Sequence, residues 1–261
     1  MSRKWKTLTL VVTVAVVSVT SVILITSASP ESLITPPATQ PRTERKMRNL
    51  SLQPEAFRVS RRLGARFSPK ARGSTVTTGK LIVGTDQQIA TIIRRQTDNG
   101  ESVEVVLGGR RLTWSETEGV RGIPSSPTEA DRLLAEQLIF DSPDQFVLAQ
   151  LRGASYFTVA RNVRSANAAD NYEGPLWTVV RVDDPQQNEQ LRPRSSWRLY
   201  YINSQTGLIE RVVSQLNGKT IEAEVLAWSE QGGEKIPSKI NWSIDGRNIM
   251  SYQVNTFSHS D

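Results

Sequence analysis

Two hydrophobic periods take turns along the chain, and they separate helices from strands. Gln53-Pro54-Glu55 opens a short helix with Ala56, Ser60 and Leu63 on one face, and Leu63-Gly64 stops it. From Ser74 the pattern changes to strands. Ser74–Val83 is rich in Thr, Val and Ile, residues 84–88 turn, and Ile89–Gln96 runs back. Thr97-Asp98-Asn99-Gly100 is a hairpin turn, because Asn-Gly tolerates the positive φ angles a tight turn needs. Ser102–Leu107, the turn Gly108-Gly109 and Arg111–Ser115 complete an antiparallel meander.

A helix pair interrupts the strands. Ser126-Pro127-Thr128-Glu129 places an N-cap, a proline at the first helical position and a capping glutamate. Ala130, Leu133, Leu134, Gln137 and Leu138 then keep helical spacing, which predicts a helix over residues 127–140. Ser142-Pro143-Asp144-Gln145 repeats the start signal for a second helix carrying Phe146, Val147 and Leu151. Strands resume at Tyr156–Arg161, Trp177–Val182, Trp197–Asn203, Leu208–Gln215, Ile221–Ser229, Ile236–Ile244 and Ile249–Phe257. Trp197, Leu199 and Tyr201 share one strand face, and Arg198, Tyr200 and Ile202 the other. Both faces carry bulk. The predicted architecture is therefore α+β: one strongly curved antiparallel sheet, over residues 50–261, with the helix pair on its concave side.

The first 49 residues follow neither period. Arg3, Lys4 and Lys6 precede an uncharged run from Leu8 to Ile25, and Thr26-Ser27-Ala28 offers a cleavage site after Ala28. Residues 1–28 thus read as an export signal or as a retained membrane anchor spanning 8–25, and both alternatives stay open. Pro30, Pro36, Pro37 and Pro41, with no apolar period, make 29–49 a disordered linker. Either reading places the rest of the chain outside the cytoplasm, anchored to the membrane if 8–25 is retained.

Charge and composition then narrow the function. The net charge of +6 is uneven: residues 41–72 hold ten basic and two acidic side chains, whereas residues from 73 onward hold 19 basic and 23 acidic. The excess positive charge belongs to the N-terminal third, which fits a solvated or membrane-facing basic segment better than a nucleic-acid stripe across the folded body, and no nucleic-acid partner is expected. If 8–25 is retained, this basic stretch lies beside anionic headgroups. There is no cysteine, which removes disulfides, thiolate metal sites and a cysteine nucleophile. The one histidine, His259, leaves little material for a Ser-His-Asp triad or a His-based metal site. Asp183-Asp184 is an acidic pair whose members point apart on a strand end, so turn chemistry before Pro185 explains it. No cofactor, metal or catalytic residue is expected.

The C-terminal third carries a resemblance. Trp197–Gly207 reads as a strand with a polar-Thr-Gly turn, followed by Leu208–Val213, Trp228-Ser229, the step Glu234-Lys235-Ile236-Pro237 and a last strand ending Val254-Asn255. Gly79-Lys80-Leu81, Gly108-Gly109, Trp114 and the helix pair agree with it upstream. This order, over residues 60–257, resembles the lipoprotein-carrier (LolA/LolB-like) superfamily of bacterial envelope proteins. The resemblance implies a half-open β-barrel with helices as a lid over an apolar cavity that takes acyl chains. Asn203 stands where an Asp is common, and the lipidated cysteine of the lipoprotein members is absent.

On that resemblance, Trp114, Leu134, Leu138, Trp177, Trp197, Tyr201 and Trp228 are candidates to line a hydrophobic ligand cavity, with core packing as the plainer alternative for each. An arginine that latches the lid is implied on an early strand, where Arg94 or Arg95 is the nearest match. The expected function is non-enzymatic binding of a lipid or lipoprotein acyl chain. The alternatives are a protein-interaction or sensor module without a cavity, and an envelope enzyme using carboxylates.

Overall fold

The computed structural model describes residues 54–64, 73–97, 100–115, 118–122, 137–139, 141–151, 153–164, 174–183, 197–216 and 218–260. Asn49–Asp261 is one compact unit. It opens with helix α1 (Pro54–Leu63), followed by β1 (Gly73–Val83), β2 (Asp86–Thr97), β3 (Gly100–Leu107), β4 (Arg110–Ser115) and β5 (Gly119–Arg121). A helical turn at 137–139 and helix α2 (Gln145–Leu151) come next. The chain ends with β6 (Ser155–Val163), β7 (Trp177–Asp183), β8 (Trp197–Asn203), β9 (Ile209–Leu216), β10 (Lys219–Gln231), β11 (Glu234–Ile244) and β12 (Arg247–Ser260).

Among the described residues these twelve strands form one sheet in the order β5-β4-β3-β2-β1-β12-β11-β10-β9-β8-β7-β6. Every pairing is antiparallel. The chain starts at the centre, walks outward to the β5 edge, crosses to the β6 edge, and walks back until β12 closes on β1. The crossing segment contains 137–151, so the helices lie across one face of the sheet. Edges β5 and β6 do not pair with each other. The sheet is therefore open and does not close into a barrel, in keeping with the curved, half-open α+β architecture expected from the sequence.

The curvature follows from two contacts. Arg94 on β2 reaches the carbonyl of Leu138, and Arg198 on β8 reaches Asp141. Six strand spacings separate β2 from β8, about 29 Å on a flat sheet. Two arginines could not grip positions three residues apart unless the sheet wrapped around them. Bulges at Thr78/Gly79, Val225/Ala227 and Trp242/Ser243 supply local bending in the central strands.

One core fills the concave side. It joins Leu81, Ile92, Val103, Leu112, Trp114, Tyr200, Ile202, Val212, Ile240, Trp242 and Tyr252 of the sheet to Ala56, Val59 and Leu63 of α1 and to Leu138, Ile139, Phe146 and Val147. α1 follows its sequence pattern: Ala56, Val59, Ser60 and Leu63 are buried, and Gly64 ends it with φ 110 and an N–H bonded to the Ser60 carbonyl at 3.1 Å. Of the helix expected over 127–140, residues 137–139 are helical and the remainder lies outside the described residues. The second helix of the pair is α2, with Phe146 and Val147 buried. Residues 1–53, which include the expected signal or anchor and the linker, also lie outside. No described helix is long and apolar enough to cross a membrane.

Candidate functional site

The concave faces of β1, β2, β11 and β12, with Leu138, Ser142 and Asp144 above them, enclose a groove. Thr75, Thr77 and Arg94 form a polar wall; Ile236, Pro237, Ile240, Trp242 and Val254 form an apolar one. Tyr252 stands between them. The empty space is about 490 Å³ counted out to the open mouth. Inside, the groove has room for about three water molecules.

Residues of the covering segment are held from both halves of the sheet. Arg94 Nη2 donates to the Leu138 carbonyl at 3.0 Å and Nη1 to the Ile139 carbonyl at 3.4 Å. The same guanidinium lies 3.6 Å from Glu101 Oε1 and 3.6 Å from Asp144 Oδ2. Gln145 Nε2 donates to Glu101 Oε1 at 3.1 Å. On the far half, Arg198 Nε donates to Asp141 Oδ1 at 3.2 Å, and both side chains are buried. Phe146 packs edge-on against Tyr156 and Tyr200, with ring centroids 5.2 and 4.9 Å away, and the Tyr156 hydroxyl donates to the Phe146 carbonyl. These buried ionic groups are affordable only because they meet one another and backbone carbonyls.

Alternation decides between the two neighbouring arginines. Ala90 and Ile92 of β2 point into the core, so Arg94 does too. Arg95 points to the other face and donates to Glu104 at 3.1 Å, beside Arg111. Tyr252 rests against Gly79, where an added Cβ would lie 2.9 Å from the ring and 2.2 Å from the Gln253 carbonyl oxygen. Its hydroxyl donates to the Ala90 carbonyl at 3.3 Å, and burial pushes the phenol up to about 12 despite a hydrogen bond with Thr77 and the nearby Arg94 charge.

The aromatic candidates divide. Leu138 lines the groove. Trp114 is buried on the concave face of β4, as core rather than groove wall, and Trp228 packs against that core. Leu134 lies outside the described residues. Trp177, Trp197 and Tyr201 are corrected: they stand on the convex face. Arg198, Tyr200 and Ile202 face inward on β8, so the alternate residues must face outward. Their bulk is covered by arginines instead of a cavity. The Arg211 guanidinium lies 5.7 Å from the Trp177 ring and 5.3 Å from Tyr201, and Arg181 lies 5.6 Å from Trp197. Asn203 does more than an aspartate would. Its Oδ1 caps the turn by accepting from Gln205 and Thr206, while its Nδ2 donates to Glu210, which also accepts from Trp177. Asp183 pairs with Arg181 at 2.7 Å. Among the described residues no acidic or histidine cluster could hold a metal ion.

Sequence reasoning missed the actual groove floor, namely Ile240, Trp242, Tyr252 and Val254, and both carboxylate partners of Arg94. The alternation of Tyr252 with Val254, and of Ile240 with Trp242, was present to be read.

An open antiparallel sheet with helices latched across its concave face defines a class, and comparison with solved structures agrees with it. A domain described as an outer membrane lipoprotein-sorting protein, from Vibrio parahaemolyticus, matches 79% of this chain and 91% of its own at TM-score 0.52 and 7% identity. A DUF1329 family protein from Desulfovibrio piger matches 79% and 92% at TM-score 0.50 and 9% identity. A LolA superfamily protein from Nitrosomonas europaea matches 79% and 94% at TM-score 0.48 and 6% identity. The chain shares the fold of the lipoprotein-sorting protein domain and of the DUF1329 family protein. No family model and no curated protein matches its sequence.

Proposed function

We propose that this protein binds one long-chain hydrophobic ligand, a lipid or lipoprotein acyl chain, in the groove under Leu138, Ser142 and Asp144, and releases it unchanged in the bacterial envelope. The observation that carries this reading is the apolar wall of Ile236, Ile240, Trp242 and Val254 lying beneath a segment that Arg94 holds. Arg94 acts as the latch of a lid. An acyl chain needs far more room than about three waters occupy, so the latched form is the empty, closed state and uptake requires the lid to lift. Binding then draws on apolar area, roughly 25 cal/mol per Å² removed from water before association costs. The test is displacement of a fluorescent fatty-acyl probe. Saturable binding that varies little with salt, and that Leu138→Glu weakens, supports the reading. Absence of saturable binding removes it. The tight interior itself favours the second reading, a protein-interaction or sensor module on the same scaffold, which then becomes the better account.

A further inference from the structure

Helix α1 is amphipathic in an unusual way: its outer side is cationic and carries an exposed ring. Phe57 is 46% exposed, and Arg58, Arg61 and Arg62 are exposed beside it. The Arg61 guanidinium lies 5.8 Å from the Phe57 ring centroid. The one acid of the helix, Glu55, is held by Arg161 at 3.0 Å. Among the described residues none of the three arginines has a carboxylate partner. The unit Asn49–Asp261 as a whole has 25 basic and 24 acidic residues, a net charge of +1. Its attraction to a polyanionic surface must therefore come from a local face and not from bulk charge. The inner side of α1 belongs to the same concave core as Leu138, Phe146 and Tyr200, and α1 contacts α2. A flat surface meeting the outer side of α1 thus meets the side of the sheet that holds the groove. The chain just before α1 continues the charge, with Arg42, Arg45, Lys46 and Arg48 against Glu44.

We propose that the outer face of α1 docks on an anionic phospholipid surface, with Arg58, Arg61 and Arg62 on headgroup phosphates and Phe57 at the acyl boundary. Each guanidinium adds attraction to an anionic leaflet, and the ring adds a small apolar anchor. Docking sets the concave side of the sheet, which carries α1 and α2, toward the bilayer. It does not depend on whether the groove takes a ligand.

The test uses the compact unit Asn49–Asp261, so that residues 1–48 contribute nothing. Co-sedimentation is measured with phosphatidylcholine vesicles and with vesicles in which about a third of the lipid is phosphatidylglycerol. The unit should partition onto the anionic vesicles roughly a hundredfold more strongly than onto neutral ones, and high salt should remove most of the difference. Arg58→Gln with Arg61→Gln and Arg62→Gln should abolish the preference, and Phe57→Ser alone should weaken it several-fold. Arg110→Gln with Arg111→Gln and Arg121→Gln, which removes the same charge at the β4–β5 edge, should leave it intact. Equal partitioning onto both vesicle types overturns the proposal, and so does an equal loss in the two triple variants.

Discussion

Replacement of Arg94 separates two roles the residue could play, latching the cover and neutralising buried acid. Methionine keeps the stem and removes both. It forfeits the 3.0 Å bond to the Leu138 carbonyl and leaves Glu101 and Asp144, each about 5% exposed, without the cation that faces them. Breaking one side of a buried ionic cluster costs about 3–5 kcal/mol. Arg94→Lys keeps the charge near both carboxylates but cannot fork between two carbonyls, so it should cost about 1–2 kcal/mol. Urea unfolding of Asn49–Asp261 measures the totals. Amide exchange measures where the loss falls. In the lysine variant the α2 amides should exchange about 5–30-fold faster while the amides of β10–β12 keep their protection. If α2 exchanges at the wild-type rate in the lysine variant while methionine costs several kcal/mol, Arg94 merely compensates charge and the latch is refuted. If methionine costs under 1 kcal/mol, the cluster is not coupled to the fold at all.

Three further outcomes follow from the same geometry. Gly79→Ala should lose about 1–3 kcal/mol or more in urea unfolding, because a Cβ there runs into the Gln253 carbonyl and the Tyr252 ring. Phe146→Ala should cost about 3–5 kcal/mol and also loosen Tyr156 and Tyr200, which enclose that ring. Tyr252 is raised in the folded state to about 12, so its contribution is fully present below pH 10 and is lost as pH rises from 10 to 12. Tyr252→Phe should flatten the stability curve over that window by about 2–3 kcal/mol, measured by urea unfolding at pH 9 and near pH 12.

The strands were legible because their signals are local. Turn chemistry at Gly108-Gly109 and Asn203–Gly207, and alternation between turns, needs nothing from elsewhere in the chain. The Asp245-Gly246 hairpin turn, with φ 48 and 77, carries the same signal. What the sequence could not supply was which side of each strand is concave. On β8 both sides carry large residues, and the choice is made by distant partners: Asp141 meets Arg198 from across the fold, and Arg211 covers Tyr201 from β9. For that reason the pattern on β7 and β8 does not show that Trp177, Trp197 and Tyr201 stand on the convex face. Arg94 and Arg95 posed the same ambiguity, settled only once Ala90 and Ile92 were seen to face the core. Bulges interrupt the alternation on either side of the pairs Ile240–Trp242 and Tyr252–Val254, so a period of two marks each pair but does not carry from it along the whole strand.

The two arginine grips on the covering segment differ in distance, and the difference gives the proposed opening a direction. Arg198 and Asp141 form a direct 3.2 Å bond with side chains 6% and 2% exposed, and the groove does not reach them. Arg94 holds its carboxylates at 3.6 Å, lines the groove, and relies on one short bond to a backbone carbonyl. If the cover lifts as proposed, the grip with the longer ionic distances stands over the groove, and the closer one lies beyond it, where a hinge belongs. Arg198→Met should accordingly lower unfolding stability by about 3–5 kcal/mol, as loss of a buried pair does, while the affinity for a fatty-acyl probe in the remaining folded protein stays within about twofold. Arg94→Lys should do the reverse, with the smaller loss of about 1–2 kcal/mol in global stability and a several-fold faster probe uptake in stopped-flow mixing. Faster uptake in a folded Arg198 variant, with uptake unchanged in the Arg94 variant, would place the hinge at the groove and the latch across the sheet, opposite to the order of these distances.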